Sequence, residues 1–316
     1  MRDRLKRIDT RNMPREKWLE IRRKTIGGSD AAGIVGLSSY TSPYTVWANK
    51  TGRLPDAEDN EAMRQGRDLE EYVAKRWMEA TGKHVRRCNS MLYNHLYPFA
   101  HADIDRSVVG ESAGLECKTT STLNIRQFNG VDFPEKYYVQ CVHYLAVTGY
   151  QRWYLAVLVF GRGFYIFTLE RNQAEIDALM AAEQNFWEFV KNDTPPDLDG
   201  LDATGKALQV IYPVSDGRSI QLFGRETILT EYFSLRRKVE VIEERMEQIA
   251  NSIKEDMQEC ERANCSGFSV LWKSQTRRQF QPKEFEKAYP EIDLQPYYKH
   301  TTSRPFKITQ TDKEVD

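Results

Sequence analysis

The chain has 316 residues, with 45 basic against 46 acidic residues, a net charge of −1 and 40% hydrophobic content. That length and apolar content suit one large domain or one domain with an appendage, and the near-neutral charge argues against a surface coated throughout with nucleic acid, leaving room only for local basic patches. No apolar run reaches the roughly 18–20 residues of a membrane helix, and the start MRDRLKRIDTRN is too polar for a signal peptide, so a cytosolic location is expected.

In chain order, PREKWLEIRRKTIGGSDAAGIVG reads as a helix, a Gly-Gly-Ser turn and a small-residue helix starting near Ser29 or Asp30. SSYTSPYTVWANKTGRL is a loop followed by a short helix. RQGRDLEEYVAKRWMEATG is helical, with Leu69, Val73, Trp77 and Met78 on one apolar face and Gly82 just past the end. SMLYNHLYPFAHADIDRSVV and GLECKTT read as adjacent strands joined by a Gly-Glu-Ser turn. FPEKYYVQCVHYLAVTGY is helical, with Tyr138, Cys141, Val142 and Leu145 inward, and WYLAVLVF and GFYIFTLE form a hairpin around Gly161-Arg162-Gly163. A helix from about Gln173 to Lys191 closes this unit.

The composition then shifts. NDTPPDLDGLDATGK reads as a linker, followed by a short strand pair near Gln209–Phe223 and a long polar helix. That helix carries Ile228, Tyr232, Leu235, Val239, Ile242, Met246, Ile249 and Ile253 at alternating steps of 4 and 3. The result is a heptad stripe about 38 Å long, which asks to be packed on the core domain, a second helix or a second copy. GFSVLWKSQTRRQF alternates like a strand. The division expected is a core over 1–195 and an extension over 196–316.

Five cysteines, Cys88, Cys117, Cys141, Cys260 and Cys265, include no CxxC pair, which argues against a disulfide framework and a zinc or iron–sulfur site. The chemistry concentrates in GLECKTT. Glu116 and Lys118 are two apart, so in a strand they share one face while Cys117 points to the other. Asp105 lies across the preceding turn, within reach of that face. Two carboxylates and a backbone carbonyl make a hard oxygen site suited to Mg²⁺ or Mn²⁺, with Lys118 placed to orient or help deprotonate a water. An ordinary cross-strand ion pair is the competing account. Upstream, Glu70 sits at the edge of its helix's buried face, whereas Glu71 fits a solvated one.

Asp-x10-Glu-x-Lys with an upstream helical Glu is the pattern of the PD-(D/E)XK nuclease superfamily. Within it, the chain resembles the YqaJ-type viral recombinase family, relatives of the phage lambda exonuclease. The resemblance rests on ordered blocks over about residues 15 to 190: Trp18-x3-Arg22 leading to Ile26-Gly27-Gly28-Ser29-Asp30-Ala31-Ala32; Tyr44-x2-Trp47 with Lys50-Thr51-Gly52; Gly66-x3-Glu70; Ala102-x2-Asp105; Gly114-Leu115-Glu116-Cys117-Lys118-Thr119; and Tyr138-x-Gln140-x2-His143-Tyr144. WKSQTRRQF and TTSRPFKI also resemble the C-terminal parts of such proteins.

The resemblance implies an α/β fold, a restriction-endonuclease-like mixed sheet flanked by helices, with a mainly helical C-terminal extension. It implies that Asp105 and Glu116 hold the metal with the carbonyl of Cys117, that Lys118 activates the water, that Glu70 supports the metal site, and that Gln140 lies beside the lysine. Arg22 and Ser29 match positions that grip the DNA 5′-phosphate in relatives, and a guanidinium fork beside a hydroxyl and glycine N–H groups suits such a group. Two departures stand out. No acidic residue occurs between Glu79 and Asp103, where some relatives carry one, and Arg106 replaces the glycine usual after the catalytic Asp. Asp103, in turn, is either a metal ligand or a charge that tunes phosphate binding.

The activity implied is a Mg²⁺-dependent 5′→3′ exonuclease on double-stranded DNA ends, serving phage or prophage recombination with a RecT- or Beta-type annealing protein. Relatives form a homo-oligomeric ring, commonly a trimer. An endonuclease of the same fold and a non-catalytic end-binding module are the alternatives.

Overall fold

Short strands of alternating character and helices with one apolar side assemble here into two sheets that share a buried helix. The computed structural model describes residues 5–56, 59–121, 132–299 and 301–310. They fall into two units, divided between Pro213 and Val214.

In the first unit, β1 (Leu5–Asp9), α1 (Arg15–Arg23), β2 (Ile26–Gly27), α2 (Gly28–Ile34) and α3 (Pro43–Lys50) precede the long α4 (Glu61–Thr81). The Ser42 hydroxyl accepts the Thr45 N–H, and Pro43 occupies the first turn of α3, where no N–H is needed. At the end of α4, Gly82 takes the left-handed conformation that a side chain would disfavour.

There follow β3 (Val85–Arg87), β4 (Ser90–Asn94), β5 (Ala100–Asp103), β6 (Arg106–Val108), β7 (Ala113–Thr120), α5 (Glu135–Thr148), β8 (Arg152–Val159), β9 (Gly163–Glu170), α6 (Gln173–Lys191) and α7 (Asp202–Ile211). One sheet has the order β1-β4-β5-β2 and the other β3-β6-β7-β8-β9. The second is mixed: β7 and β8 run parallel, joined through α5, and the other pairs are antiparallel. The fold is thus the α/β arrangement of a mixed sheet flanked by helices.

The stretch read as one long strand before GLECKTT divides between the two sheets. β4 and β5 belong to the first and β6 to the second, so Asp105 sits where the chain crosses over. On one face of β7, Ala113 and Leu115 meet Val73, Ala74 and Trp77 of α4, with Cys117 packed alongside. α5 is buried at every position from Val139 to Thr148 and packs on β4, β5 and β8 as well as α2 and α6. A helix covered on all sides carries apolar residues around its circumference, so its inward face is wider than four positions.

α7 begins inside the segment read as linker, which ends at Lys206, and continues past it, burying Thr204 and Ala207 and packing Leu208 and Ile211 on the core, a helical spacing. Its Thr204 hydroxyl is 2.6 Å from that of Ser42. The strand pair expected near Gln209–Phe223 is therefore absent: α7 runs to Ile211, and no strand occurs over 212–225.

In the second unit, α8 (Glu226–Met257) is one uninterrupted helix of 32 residues. It is followed by a hairpin of β10 (Arg262–Cys265) and β11 (Phe268–Leu271) turning at Gly267, and by α9 (Pro282–Ala288). Only the Phe268–Leu271 part of GFSVLWKSQTRRQF is a strand. Among the described residues, no helix is long and apolar enough to cross a membrane.

Candidate active site

Alternation along β7 sends Leu115 and Cys117 toward α4 and leaves Glu116 and Lys118 on the other face. Glu116 is 2% exposed, and its Oε1 accepts from Lys118 Nζ at 2.6 Å and from Gln140 Nε2 of α5 at 2.8 Å. Asp105 reaches the same strand from the crossover: its Oδ2 accepts the Cys117 backbone N–H at 2.8 Å. Asp105, Glu116, Lys118, Gln140 and the Cys117 main chain are thereby brought together.

Burial pushes Asp105 well above the usual carboxylate range, and the neighbouring Glu116 charge adds to it. Burial also raises Glu116, outweighing the attraction of Lys118. Lys118 responds in the opposite sense: burial opposes its charge, yet Glu116 and Asp105 hold the ammonium above the ordinary lysine value. The two acids are thus crowded together in a buried setting, with Lys118 as the cation paired to them.

The donor set fits a divalent ion in one respect. Among the described residues, Glu116 Oε2 is buried with no hydrogen-bond partner, and a buried carboxylate oxygen left unmatched is costly. Among the described residues, no three His, Cys, Asp or Glu side chains converge as metal ligands. Any ion held here would take the two carboxylates, with the Cys117 carbonyl as the expected further donor.

Glu70 is engaged elsewhere. Its Oε1 pairs with Arg106, which is 3% exposed, also donates to the Asp105 carbonyl at 2.9 Å and pairs with Glu71 at 3.1 Å. Glu71, read as a solvated residue, is in turn paired with Arg87 at 2.9 Å. The arginine that replaces the expected glycine thus supplies a fixed positive charge beside the acids.

Arg22 and Ser29 also come together: Arg22 donates to the Ser29 hydroxyl at 2.6 Å, and its guanidinium lies 4.5 Å from the centre of the Trp18 ring. The turn between them is tightly held. Gly28 lies against Tyr144, whose ring would be 2.6 Å from any Cβ placed there. Asp30 accepts the Gly27 N–H and pairs at 2.6 Å with Lys50, which also donates to the Arg22 carbonyl.

A hydrogen-bonded path joins this pocket to the acids. Trp18 Nε1 donates to Asp103 Oδ2 at 3.0 Å, Tyr144 donates to the Asp103 carbonyl at 3.1 Å, and Gln140 donates to both Tyr144 and Glu116 at 2.8 Å. Asp103 is raised by burial and bonds to Trp18. A cleft of about 780 Å³ lined by Arg7, Arg86, Arg87 and Ser107 lies elsewhere, since neither Asp105 nor Glu116 lines it.

Sequence reasoning gave no role to Trp18, Tyr144 or His143, although each stands in a quoted block. It gave Glu183 no mention at all, and nothing short-range marks it.

Residues 17–151 match the model of the YqaJ-like viral recombinase domain. The chain is 35% identical over 305 residues to protein YqaJ of Bacillus subtilis (strain 168), covering 94% of this chain and 95% of that one. The chain belongs to the YqaJ family. Among solved structures, this YqaJ-family chain is similar to an alkaline exonuclease from Laribacter hongkongensis, with a TM-score of 0.48 and 19% identity over 56% of this chain and 93% of the other. A phage-related exonuclease from Haemophilus somnus 129PT gives a TM-score of 0.40 and 12% identity over 56% of this chain and 99% of the other.

Proposed function

We propose that this YqaJ-family protein is a divalent-metal-dependent exonuclease that degrades linear double-stranded DNA from 5′ ends, leaving 3′ single-stranded tails. The observation that carries the reading is the gathering of Asp105, Lys118 and Gln140 around Glu116 and the Cys117 main chain, with one Glu116 oxygen unmatched among the described residues. Asp105, Glu116 and the Cys117 carbonyl would hold Mg²⁺, with Mn²⁺ as a substitute. When bound, the ion supplies Lewis-acid stabilisation of charge on the scissile phosphate and lowers the pKa of water.

The protein's own groups do the positioning. Lys118, held as an ammonium, orients the attacking water and the phosphate oxygens. Gln140 fixes the rotamer of Glu116. Arg22 and Ser29 grip a terminal 5′-phosphate through a guanidinium and a hydroxyl, which favours an end over an internal site and so an exonuclease over an endonuclease. Tails of this kind are substrates for a RecT- or Beta-type annealing protein, so the setting proposed is phage or prophage recombination in the bacterial cytoplasm.

The purified full chain with Mg²⁺ should degrade a linear duplex carrying 5′-phosphates and leave closed circles intact. Nicking of closed circles would transfer the reading to an endonuclease, and no hydrolysis with Mg²⁺ or Mn²⁺ would remove both.

A further inference from the structure

WKSQTRRQF, a block of the second unit that the active site leaves unused, follows the β10–β11 hairpin. From Arg262 to Lys283 the chain carries five basic residues and no acidic one, in a protein whose net charge is −1. Among the described residues, none of these five side chains pairs with a carboxylate. The stretch is a local concentration of uncompensated positive charge, which attracts an anion.

The same stretch turns aromatic rings to solvent. Every residue over 271–281 is exposed, and residues 272–281 form neither helix nor strand. Trp272 is 48% exposed and Phe280 61%. Both are anchored all the same. The Trp272 main-chain N–H donates to the Glu261 carbonyl at 2.9 Å, and the Phe280 ring lies 5.3 Å from that of Phe285 in α9. Lys273, Arg277 and Arg278 stand between the two rings in sequence.

Cations and rings together select the ligand. A duplex presents its phosphates and keeps its bases stacked inside, so cations suffice for it and exposed rings add nothing. An unpaired strand presents a π-face with every phosphate, and a base stacks on an aromatic side chain whatever the sequence.

We infer that residues 272–283 bind single-stranded DNA, with Trp272 and Phe280 stacking on bases and Lys273, Arg277 and Arg278 meeting phosphates. The 3′ tail left by the proposed exonuclease supplies such a strand. That origin rests on the proposed function, and the binding itself does not.

The full chain is tested in EDTA, where no metal-dependent hydrolysis intervenes, by fluorescence anisotropy with a labelled oligothymidylate, an abasic strand of equal phosphate number and a blunt duplex. Trp272→Ala should weaken oligothymidylate binding by about 5- to 150-fold and leave duplex binding unchanged. Trp272→Phe keeps a stacking face and should retain most of the affinity, which separates stacking from a loss of fold. The abasic strand should bind the native chain and Trp272→Ala alike. Arg277→Ala combined with Arg278→Ala should flatten the slope of log affinity against log salt by about 1.4 for the oligothymidylate. Oligothymidylate binding indifferent to Trp272→Ala, or native binding of the abasic strand as tight as that of oligothymidylate, would overturn the inference. So would a parallel loss of duplex and single-strand binding in Trp272→Ala. A chain that degrades duplex DNA yet gives any of those results keeps its proposed activity and loses this site; one that binds as expected but hydrolyses nothing does the reverse.

Discussion

Replacing Glu183 by Gln tests how the helical layer of the first unit is held, with no reference to DNA. His143 lies between two acceptors: its Nδ1 is 2.8 and 3.0 Å from the two carboxylate oxygens of Glu183, and its Nε2 is 2.8 Å from the carbonyl oxygen of His101. A carbonyl cannot donate, so Nε2 carries a proton, and a carboxylate facing Nδ1 favours a second. Both side chains are fully buried. Burial disfavours the imidazolium, but the Glu183 charge and hydrogen bonds outweigh it and raise His143 above its usual value. Glu183→Gln keeps the shape and removes the charge, leaving a buried cation unmatched or forcing it to lose a proton, at a cost of about 3–5 kcal/mol. At about 2–4 °C per kcal/mol for a domain of this size, the melting temperature should fall by roughly 6–20 °C.

The pH dependence fixes the mechanism. A histidine raised on folding contributes stability that is fully present below its unfolded pKa, about 6.5, and lost as pH climbs through its folded value. The gap between native protein and variant should therefore be widest near pH 6 and narrow above it. Urea unfolding followed by tryptophan fluorescence at several pH values measures that gap. A loss below 1 kcal/mol at pH 6, or a gap that widens with pH, would refute the assignment of a charged pair.

Three other substitutions probe the site and its support. Lys118→Ala should lower turnover by about 10²- to 10⁴-fold while duplex binding, read by fluorescence anisotropy, is retained; near-normal turnover would displace Lys118 from the reaction. Gln140→Ala removes a hydrogen bond to a buried carboxylate, worth about 1.5–3 kcal/mol, so single-turnover cleavage should slow by about 10- to 150-fold. Gly114→Ala would put a Cβ 2.4 Å from the fully buried Trp153 ring and should cost about 1–3 kcal/mol in thermal unfolding; an unchanged melting temperature would mean that the indole has room to move.

The parts legible in the sequence are those with local periodicity. The face of α4, the alternation that pairs Glu116 with Lys118 and the limits of α6 all follow from residues a few positions apart. What escaped depends on distant partners. The first half of α7 falls in a stretch whose Asp, Pro and Gly spell linker and its end where a strand is expected, and only its packing on the core shows the apolar side from Thr204 to Ile211. The division of one apparent strand between two sheets is a tertiary event with no short-range sign. Glu70 read correctly as half-buried, but its partner is an arginine 36 positions away. Arg106 was visible as a departure from the family pattern, and the contacts that give it meaning were not.

One of the bonds that fixes the acids comes from the main chain. The Cys117 N–H holds Asp105 whatever side chain the residue carries, while its side chain packs against the apolar cluster that includes Val73, Ala74 and Trp77 of α4. Position 117 is therefore free to drift among small apolar residues without moving the carboxylate, and a comparison of side chains alone would score it as neutral. Proline is the replacement that the site forbids, because it alone deletes the donor.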